Sequence, residues 1–129
     1  MKKTLASLVL CYLSFSCSSQ KLVVNPEIKD YYDEEDLAQC LVDNGVRTYG
    51  AWWCPPCHYQ KSLFGKQAWK IMEQNHTECY EEGIFKMKPI CVEAGIERFP
   101  SIDFQGKRIT SVLTLEQLSE FSGCPYGSR

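Results

Sequence analysis

Two cysteines separated by two prolines, Cys54-Pro55-Pro56-Cys57, stand between Trp53 and a segment with helical periodicity. Disulfide exchange requires an attacking thiolate and a second thiol that is close enough to resolve the mixed disulfide. Two intervening residues on the first turn of a helix bring both sulfur atoms within bonding reach. The first cysteine then lies at the positive end of the helix dipole, which lowers the pKa of its thiol. The motif therefore predicts a dithiol redox centre, with Cys54 as the exposed nucleophile and Cys57 as the more buried resolving thiol.

The first seventeen residues resemble a targeting segment. Lys2 and Lys3 precede an apolar run over 5–15, which has the length of a signal-peptide core and is too short to cross a bilayer as a helix. Residues 14–16 offer an ordinary cleavage pattern, whereas residues 13–17 loosely resemble a bacterial lipoprotein signal that would leave Cys17 lipidated. We expect export to the periplasm or cell envelope, with or without a lipid anchor.

Length and charge limit the function classes. The chain has 129 residues, with 14 basic and 16 acidic side chains, which is enough for one domain and leaves no room for a second catalytic domain. Removing Lys2 and Lys3 leaves 12 basic residues and a net charge of about −4, which argues against a nucleic-acid partner. We expect a signal peptide over 1–17, a polar linker over 18–32, one domain over 33–125 and a short tail over 126–129.

Hydrophobic periodicity, caps and turn residues predict the order of secondary-structure elements. In chain order these are a helix from Asp33 to Asn44, a strand over 46–52, a helix from Pro55 to about Gln74, a strand over 77–80, a helix over 89–94, strands over 101–104 and 107–111, and a helix that starts with the capping box 114–117 and ends at Gly123. The core order is β-α-β-α-β-β-α with an extra N-terminal helix. This order predicts an α/β, thioredoxin-like fold.

Three stretches of the chain resemble the thioredoxin-like domain attached to bacterial and plant vitamin K epoxide reductase homologues. They are Tyr49 to Gly65, which contains the dithiol, Cys91 to Ser101, and the combination of Gly106-Lys107 with Leu115 to Gly123. The resemblance covers residues 36 to 124. It implies a disulfide oxidoreductase whose dithiol exchanges electrons with protein thiols and with a membrane redox partner, which we expect to be a separate molecule. No metal or organic cofactor is expected.

The resemblance also implies roles for residues outside the dithiol. Pro100 corresponds to the cis-proline that faces the dithiol in thioredoxin folds, although an ordinary turn proline is the alternative. The backbone of Phe99 would then pair with an incoming substrate strand, and we expect Trp53 and Pro55 to complete the substrate-binding surface. A second pair, Cys79 and Cys91, matches a cysteine pair of the same family and is expected to form a disulfide. That pair is either structural or a relay of electrons to the dithiol.

The sequence also departs from the resemblance at two places. Thioredoxins carry a buried acid beneath the resolving cysteine, and Thr48 occupies the corresponding place here. Deprotonation of Cys57 would then depend on water or on the substrate. Oxidising relatives usually carry a histidine before the second cysteine, where this chain has Pro56. The direction of electron flow therefore stays open.

The roles of the remaining cysteines stay open as well. Cys40 and Cys124 form a third bridge, or Cys40 stays a buried free thiol on its helix. A zinc site that combines both cysteine pairs is disfavoured, because eleven residues separate Cys79 from Cys91 rather than the two to four of a zinc knuckle.

Two other functions compete with the oxidoreductase. The motif continues into His58 and so satisfies C-x-x-C-H, the attachment signature of c-type haem, with Met72 or Met87 as the second axial ligand. The flanking strands argue against it, because a small haem protein is mostly helical. The other competing function is a disulfide-stapled binding module in which the Cys54-Cys57 bridge is inert.

Overall fold

A computed structural model describes residues 31–128 of the chain. Its elements are, in chain order, β1 (Tyr31–Tyr32), α1 (Glu34–Asp43), β2 (Arg47–Gly50), α2 (Pro55–Met72), a 3-10 turn (Glu73–Asn75), β3 (His76–Glu78), α3 (Pro89–Glu93), β4 (Ser101–Phe104), β5 (Lys107–Ile109), α4 (Leu115–Ser122) and β6 (Gly127–Ser128).

Two of the helices begin with reciprocal caps. The Asp33 carboxylate accepts a hydrogen bond from the amide of Asp36, and the Asp36 carboxylate accepts one from the amide of Asp33. Thr114 and Gln117 make the same exchange at the start of α4. Each cap satisfies amide hydrogens that have no partner within the helix. These contacts confirm the predicted starts of both helices.

Four strands form the central sheet in the order β3-β2-β4-β5. β2 and β3 are parallel, whereas β4 is antiparallel to both of its neighbours, β2 and β5. The register pairs Thr48 of β2 with His76 of β3. Because β2 is an inner strand and leads directly into α2, the dithiol lies at the end of the sheet where β2 stops.

The helix that follows the dithiol is kinked at Gly65. This residue has φ 73° and ψ 173°, far from helical values, in the middle of α2. The sequence pattern predicts an uninterrupted helix here, because Phe64, Ala68 and Met72 keep the helical spacing across the kink. Glycine adopts this conformation without the steric cost that other residues meet. α2 therefore consists of two shorter helical segments.

The main core lies between the sheet and the three longer helices. Its fully buried large side chains come from different elements and include Leu37 and Leu41 of α1, Met72 of α2, Ile102 of β4 and Leu118 of α4. Burying an aliphatic side chain of this size contributes about 1.5 to 3 kcal/mol. This core holds α2, and with it the dithiol, against the sheet.

A second sheet, which the sequence analysis did not predict, joins the two ends of the described region. β1 pairs antiparallel with β6, with Tyr31 opposite Ser128. Both strands have only two residues and carry no alternating pattern, so the prediction placed them in the linker and in the tail. The Cys40–Cys124 disulfide holds the end of α4 near α1, and this proximity allows the short strands to meet.

The four-stranded mixed sheet, with α2 following its inner strand and α4 closing the chain, is a thioredoxin-like arrangement. The predicted α/β fold class is therefore confirmed. Within residues 31–128, no helix has the length and apolar character that a membrane span requires.

Candidate active site

The dithiol occupies the first turn of α2. Cys54 is the N-cap residue, and Pro55 and Pro56 follow at the first helical positions, where no intrahelical partner exists for an amide hydrogen. Cys54 and Cys57 form a disulfide with their Cα atoms 5.3 Å apart. The Cys57 amide lies 3.3 Å from the Cys54 sulfur and 3.1 Å from the Cys54 carbonyl oxygen. The positive end of the helix thus faces the sulfur of Cys54.

The exposure of the two cysteines differs from the prediction. Cys54 is only 4% exposed in the disulfide form, whereas Cys57, predicted to be the more buried, is half-buried. The reason lies in β2, which ends at Gly50. A Cβ atom at Gly50 would lie 3.7 Å from the Cys57 Cβ, so the missing side chain leaves Cys57 open to a cavity. The predicted order of burial is therefore wrong for the disulfide form.

An aromatic cluster adjoins the dithiol. The Trp53 ring is 42% exposed and packs edge-on against Tyr80, with ring centroids 5.5 Å apart, and against Phe99, at 6.2 Å. The Phe99–Pro100 peptide bond is cis. The Trp53–Phe99 contact brings the loop before β4 next to the dithiol, although these segments are distant in sequence. Phe99 is half-buried and Pro100 is buried, while Pro55 is exposed.

Trp52 faces a different neighbour from Trp53. Its indole nitrogen donates a hydrogen bond to the Glu81 carbonyl at 3.0 Å, and its ring lies 5.8 Å from that of Phe85. Phe85 is 77% exposed. Both tryptophans therefore contact the segment that follows β3, and Trp53 also contacts Phe99.

A cavity of about 230 Å³ opens beside Cys57. Its polar lining consists of Cys57, His58, Lys61, His76 and Glu78. Two of these side chains are engaged by the Trp52 loop. The Glu78 carboxylate accepts a hydrogen bond from the Trp52 amide at 2.9 Å, and Nε2 of His58 is hydrogen-bonded to the Trp52 carbonyl at 2.6 Å.

His76 lines this cavity, although the sequence analysis did not name it as a site residue. Its Nδ1 lies 2.9 Å from the hydroxyl of Thr48, which is 4% exposed. Burial, with a smaller effect from the Lys61 charge, lowers the pKa of His76 to about 4, against an opposing effect of Glu73. No local motif marks His76, because it comes to the same cavity as Cys57 only through the pairing of β2 with β3.

The other four cysteines of the described region form two disulfides. Cys79 pairs with Cys91, the pair that the resemblance implied, and both residues are fully buried. This burial favours a structural role over a relay, because exchange requires access of one sulfur to another. Cys40 pairs with Cys124, so Cys40 is not a free thiol in this structure. Cys17 lies outside the described residues, as does the whole leader.

The contacts of the described region also bear on the competing haem and metal sites. Met72 is fully buried in the main core, so it could ligate haem only if the fold opened. Between Tyr31 and Ser128, no group of three or more histidine, cysteine, aspartate or glutamate side chains is arranged to hold a metal ion.

No protein-family model matches the chain. Over 90 residues, the chain is 38% identical to the thiol-disulfide oxidoreductase LTO1 of Arabidopsis thaliana, in an alignment that covers 67% of this chain and 23% of that relative. The chain thus spans about a quarter of the length of the relative it matches. This similarity and the disulfide at the start of α2 together fit a redox domain.

Proposed function

We propose that this protein is a thiol-disulfide oxidoreductase that acts on protein thiols and disulfides through Cys54 and Cys57. The observation that carries the proposal is the dithiol at the N-terminus of α2, next to the aromatic cluster of Trp53, Tyr80 and Phe99. The similarity to a named oxidoreductase supports it. More specifically, we propose that the chain is a thioredoxin-like domain of the kind attached to vitamin K epoxide reductase homologues.

Each cysteine has a separate role in the proposed reaction. The Cys54 thiolate, stabilised by the amide of Cys57 and by the helix dipole, attacks one sulfur of a substrate disulfide. A mixed disulfide forms and the first substrate thiolate leaves. Cys57 then attacks the Cys54 sulfur, which releases the second substrate thiolate and restores the Cys54–Cys57 disulfide. Oxidation of a substrate dithiol follows the same steps in reverse.

The substrate chain would bind along the loop that carries Phe99 and Pro100. This loop lies beside the exposed ring of Trp53. A backbone that pairs with an incoming strand binds many sequences, because main-chain hydrogen bonds supply the affinity. Trp53 and Pro55 add an apolar surface next to the reacting sulfur.

Two cysteine variants test the proposal. Cys54→Ser should abolish reduction of insulin disulfides by the protein in the presence of dithiothreitol, because the nucleophile is absent. Cys57→Ser should trap mixed disulfides between Cys54 and the substrate, detectable by mass spectrometry. A Cys54→Ser protein that keeps its activity would refute Cys54 as the nucleophile, and a wild type as unreactive as Cys54→Ser would favour a binding module with an inert bridge. The purified protein should be colourless under this proposal, whereas a covalent haem carrier would be red. Replacing Met87 or His58 by alanine should therefore leave the ultraviolet–visible spectrum unchanged.

The direction of electron flow follows from the reduction potential of the dithiol. Equilibration with glutathione, followed by quantification of alkylated Cys54 and Cys57, measures it. A value of about −120 mV indicates an oxidant, and a value of about −270 mV indicates a reductant.

We also propose that the protein is exported and exchanges electrons with a membrane redox partner. The support is Lys2 and Lys3 ahead of the apolar run 5–15, a pattern typical of signal peptides. Fractionation of cells that express the full chain tests the location. The mass of the purified N-terminus distinguishes ordinary cleavage from lipidation at Cys17, and an unprocessed chain in the cytoplasm would refute export.

A further inference from the structure

The cavity beside Cys57 brings an imidazole close to the resolving thiol. A Cβ atom added to Gly50 would lie 3.0 Å from Cε1 of His76 and 3.7 Å from the Cβ of Cys57. Nε2 of His76 is 3.4 Å from the same point. The ring edge and the cysteine therefore flank Gly50 and line the same cavity, which is large enough to hold water.

Thr48 determines which nitrogen of the ring faces the cavity. The Thr48 hydroxyl is hydrogen-bonded to Nδ1 of His76 at 2.9 Å, and the Trp69 ring packs edge-on against the imidazole at 5.1 Å between centroids. Both contacts hold the plane of the ring. When the proton resides on Nδ1 and is donated to Thr48, Nε2 carries a free lone pair.

Burial keeps the His76 ring neutral near pH 7. Burial lowers its pKa to about 4, so the ring is unprotonated at neutral pH, and it becomes basic enough to take a proton when a negative charge forms beside it. The titratable groups that surround it are Lys61 from α2, Glu73 from the 3-10 turn, Glu78 from β3, and Cys57 and His58 across the cavity. In the disulfide form Cys57 has no charge. A Cys57 thiolate in the same cavity would attract an imidazolium, as in other cysteine–histidine pairs.

We propose that His76, oriented by Thr48, accepts the proton of the Cys57 thiol through cavity water when the mixed disulfide is resolved. The inference rests on the oxidoreductase function proposed for Cys54 and Cys57. It assigns the role of the buried acid, whose place Thr48 occupies, to a neutral histidine on the neighbouring strand.

Atoms and electrons balance in the resolving step. Cys57 gives its proton to Nε2 of His76, and the electron pair left on its sulfur forms a bond to the sulfur of Cys54. The bond between Cys54 and the substrate sulfur breaks, and its electron pair leaves with the substrate as a thiolate. The imidazolium returns its proton to that thiolate through water. Cys54 and Cys57 lose two electrons together, and the substrate disulfide gains them.

Reaction of the reduced protein with 5,5′-dithiobis(2-nitrobenzoate) in a stopped-flow instrument separates the two steps. A first release of thionitrobenzoate reports attack by Cys54, and a second reports attack by Cys57 on the mixed disulfide. In His76→Ala we expect a first phase within about twofold of wild type and a second phase slower by about 100-fold at pH 7, the usual loss on removing a positioned proton acceptor.

Chemical rescue distinguishes proton transfer from a structural role. Free imidazole should accelerate the second phase of His76→Ala in proportion to its concentration. The matched control is His58→Ala, which removes the other histidine of the cavity and should show no imidazole-dependent acceleration. Thr48→Val, which keeps the shape of the side chain and removes the hydroxyl, should slow the second phase alone.

Two results would overturn the inference. The first is a second phase in His76→Ala within threefold of wild type. The second is a slow phase without imidazole rescue in a protein whose circular dichroism matches wild type. If His76→Ala does not fold, Thr48→Val decides the question by the same readout. A first phase in wild type no faster than that of glutathione would instead refute the oxidoreductase function itself.

Discussion

Acidification should weaken this fold through His76. The side chain is held neutral in the folded protein, with a pKa lowered from 6.5 to about 4 mainly by burial. The unfolded chain binds a proton at its ordinary pKa, so between pH 6.5 and pH 4 the unfolded state holds more protons than the folded state. Stability therefore rises with pH across this window. With respect to His76, the free energy of unfolding is at its full value above pH 6.5, and it falls as the pH is lowered to 4.

The magnitude follows from the width of that window. Each pH unit corresponds to about 1.4 kcal/mol for one proton, so the oxidised wild type should lose about 3 kcal/mol from this residue alone by pH 4. A typical domain is stable by only about 5 to 15 kcal/mol. The loss is thus large enough to measure by equilibrium unfolding.

Urea unfolding of the oxidised wild type and of His76→Gln at pH 7, 6, 5 and 4 isolates this effect. Subtracting the two free energies of unfolding at each pH removes the contributions of groups common to both proteins, such as Lys61 and Glu73. The free energy of unfolding of the wild type, relative to that of His76→Gln, should fall by about 3 kcal/mol between pH 7 and pH 4. A difference that stays constant across this range would show that His76 titrates normally and would refute the argument.

Three further perturbations follow from the structure. Replacing Cys40 and Cys124 together by alanine removes a bridge that spans 84 residues and should lower the free energy of unfolding in urea by about 4 kcal/mol. A loss below about 1 kcal/mol would contradict the loop-closure argument. Gly50→Ala places a methyl group 3.0 Å from Cε1 of His76, so it should displace the ring and slow the second thionitrobenzoate phase, whereas unchanged phases would show that the close approach does not matter. Thr114→Ala removes the cap of α4 and should cost about 1 kcal/mol in thermal unfolding, with no change in either thionitrobenzoate phase.

Much of the fold could be predicted because the signals are local. Asp33 and Thr114 are capping residues, Gly123 is a left-handed helix end, and the strand over 101–104 occurs where it was predicted. The kink at Gly65 could not be predicted in this way, because the apolar positions on both sides keep helical spacing. The β1–β6 pair depends on contacts between residues almost a hundred positions apart, and two-residue strands carry no pattern of their own.

The amino-acid sequence by itself determined that two thiols would lie on one helical turn, because the spacing of Cys54 and Cys57 and the prolines between them are properties of a single segment. Only the tertiary structure decided what surrounds those thiols. The pairing of β2 with β3 puts His76 opposite Thr48, with which it is hydrogen-bonded. Because Gly50 has no side chain, the His76 ring can lie in the cavity next to Cys57. The environment of a thiol depends on burial and on charges contributed by distant segments, and no local pattern in the chain encodes those neighbours.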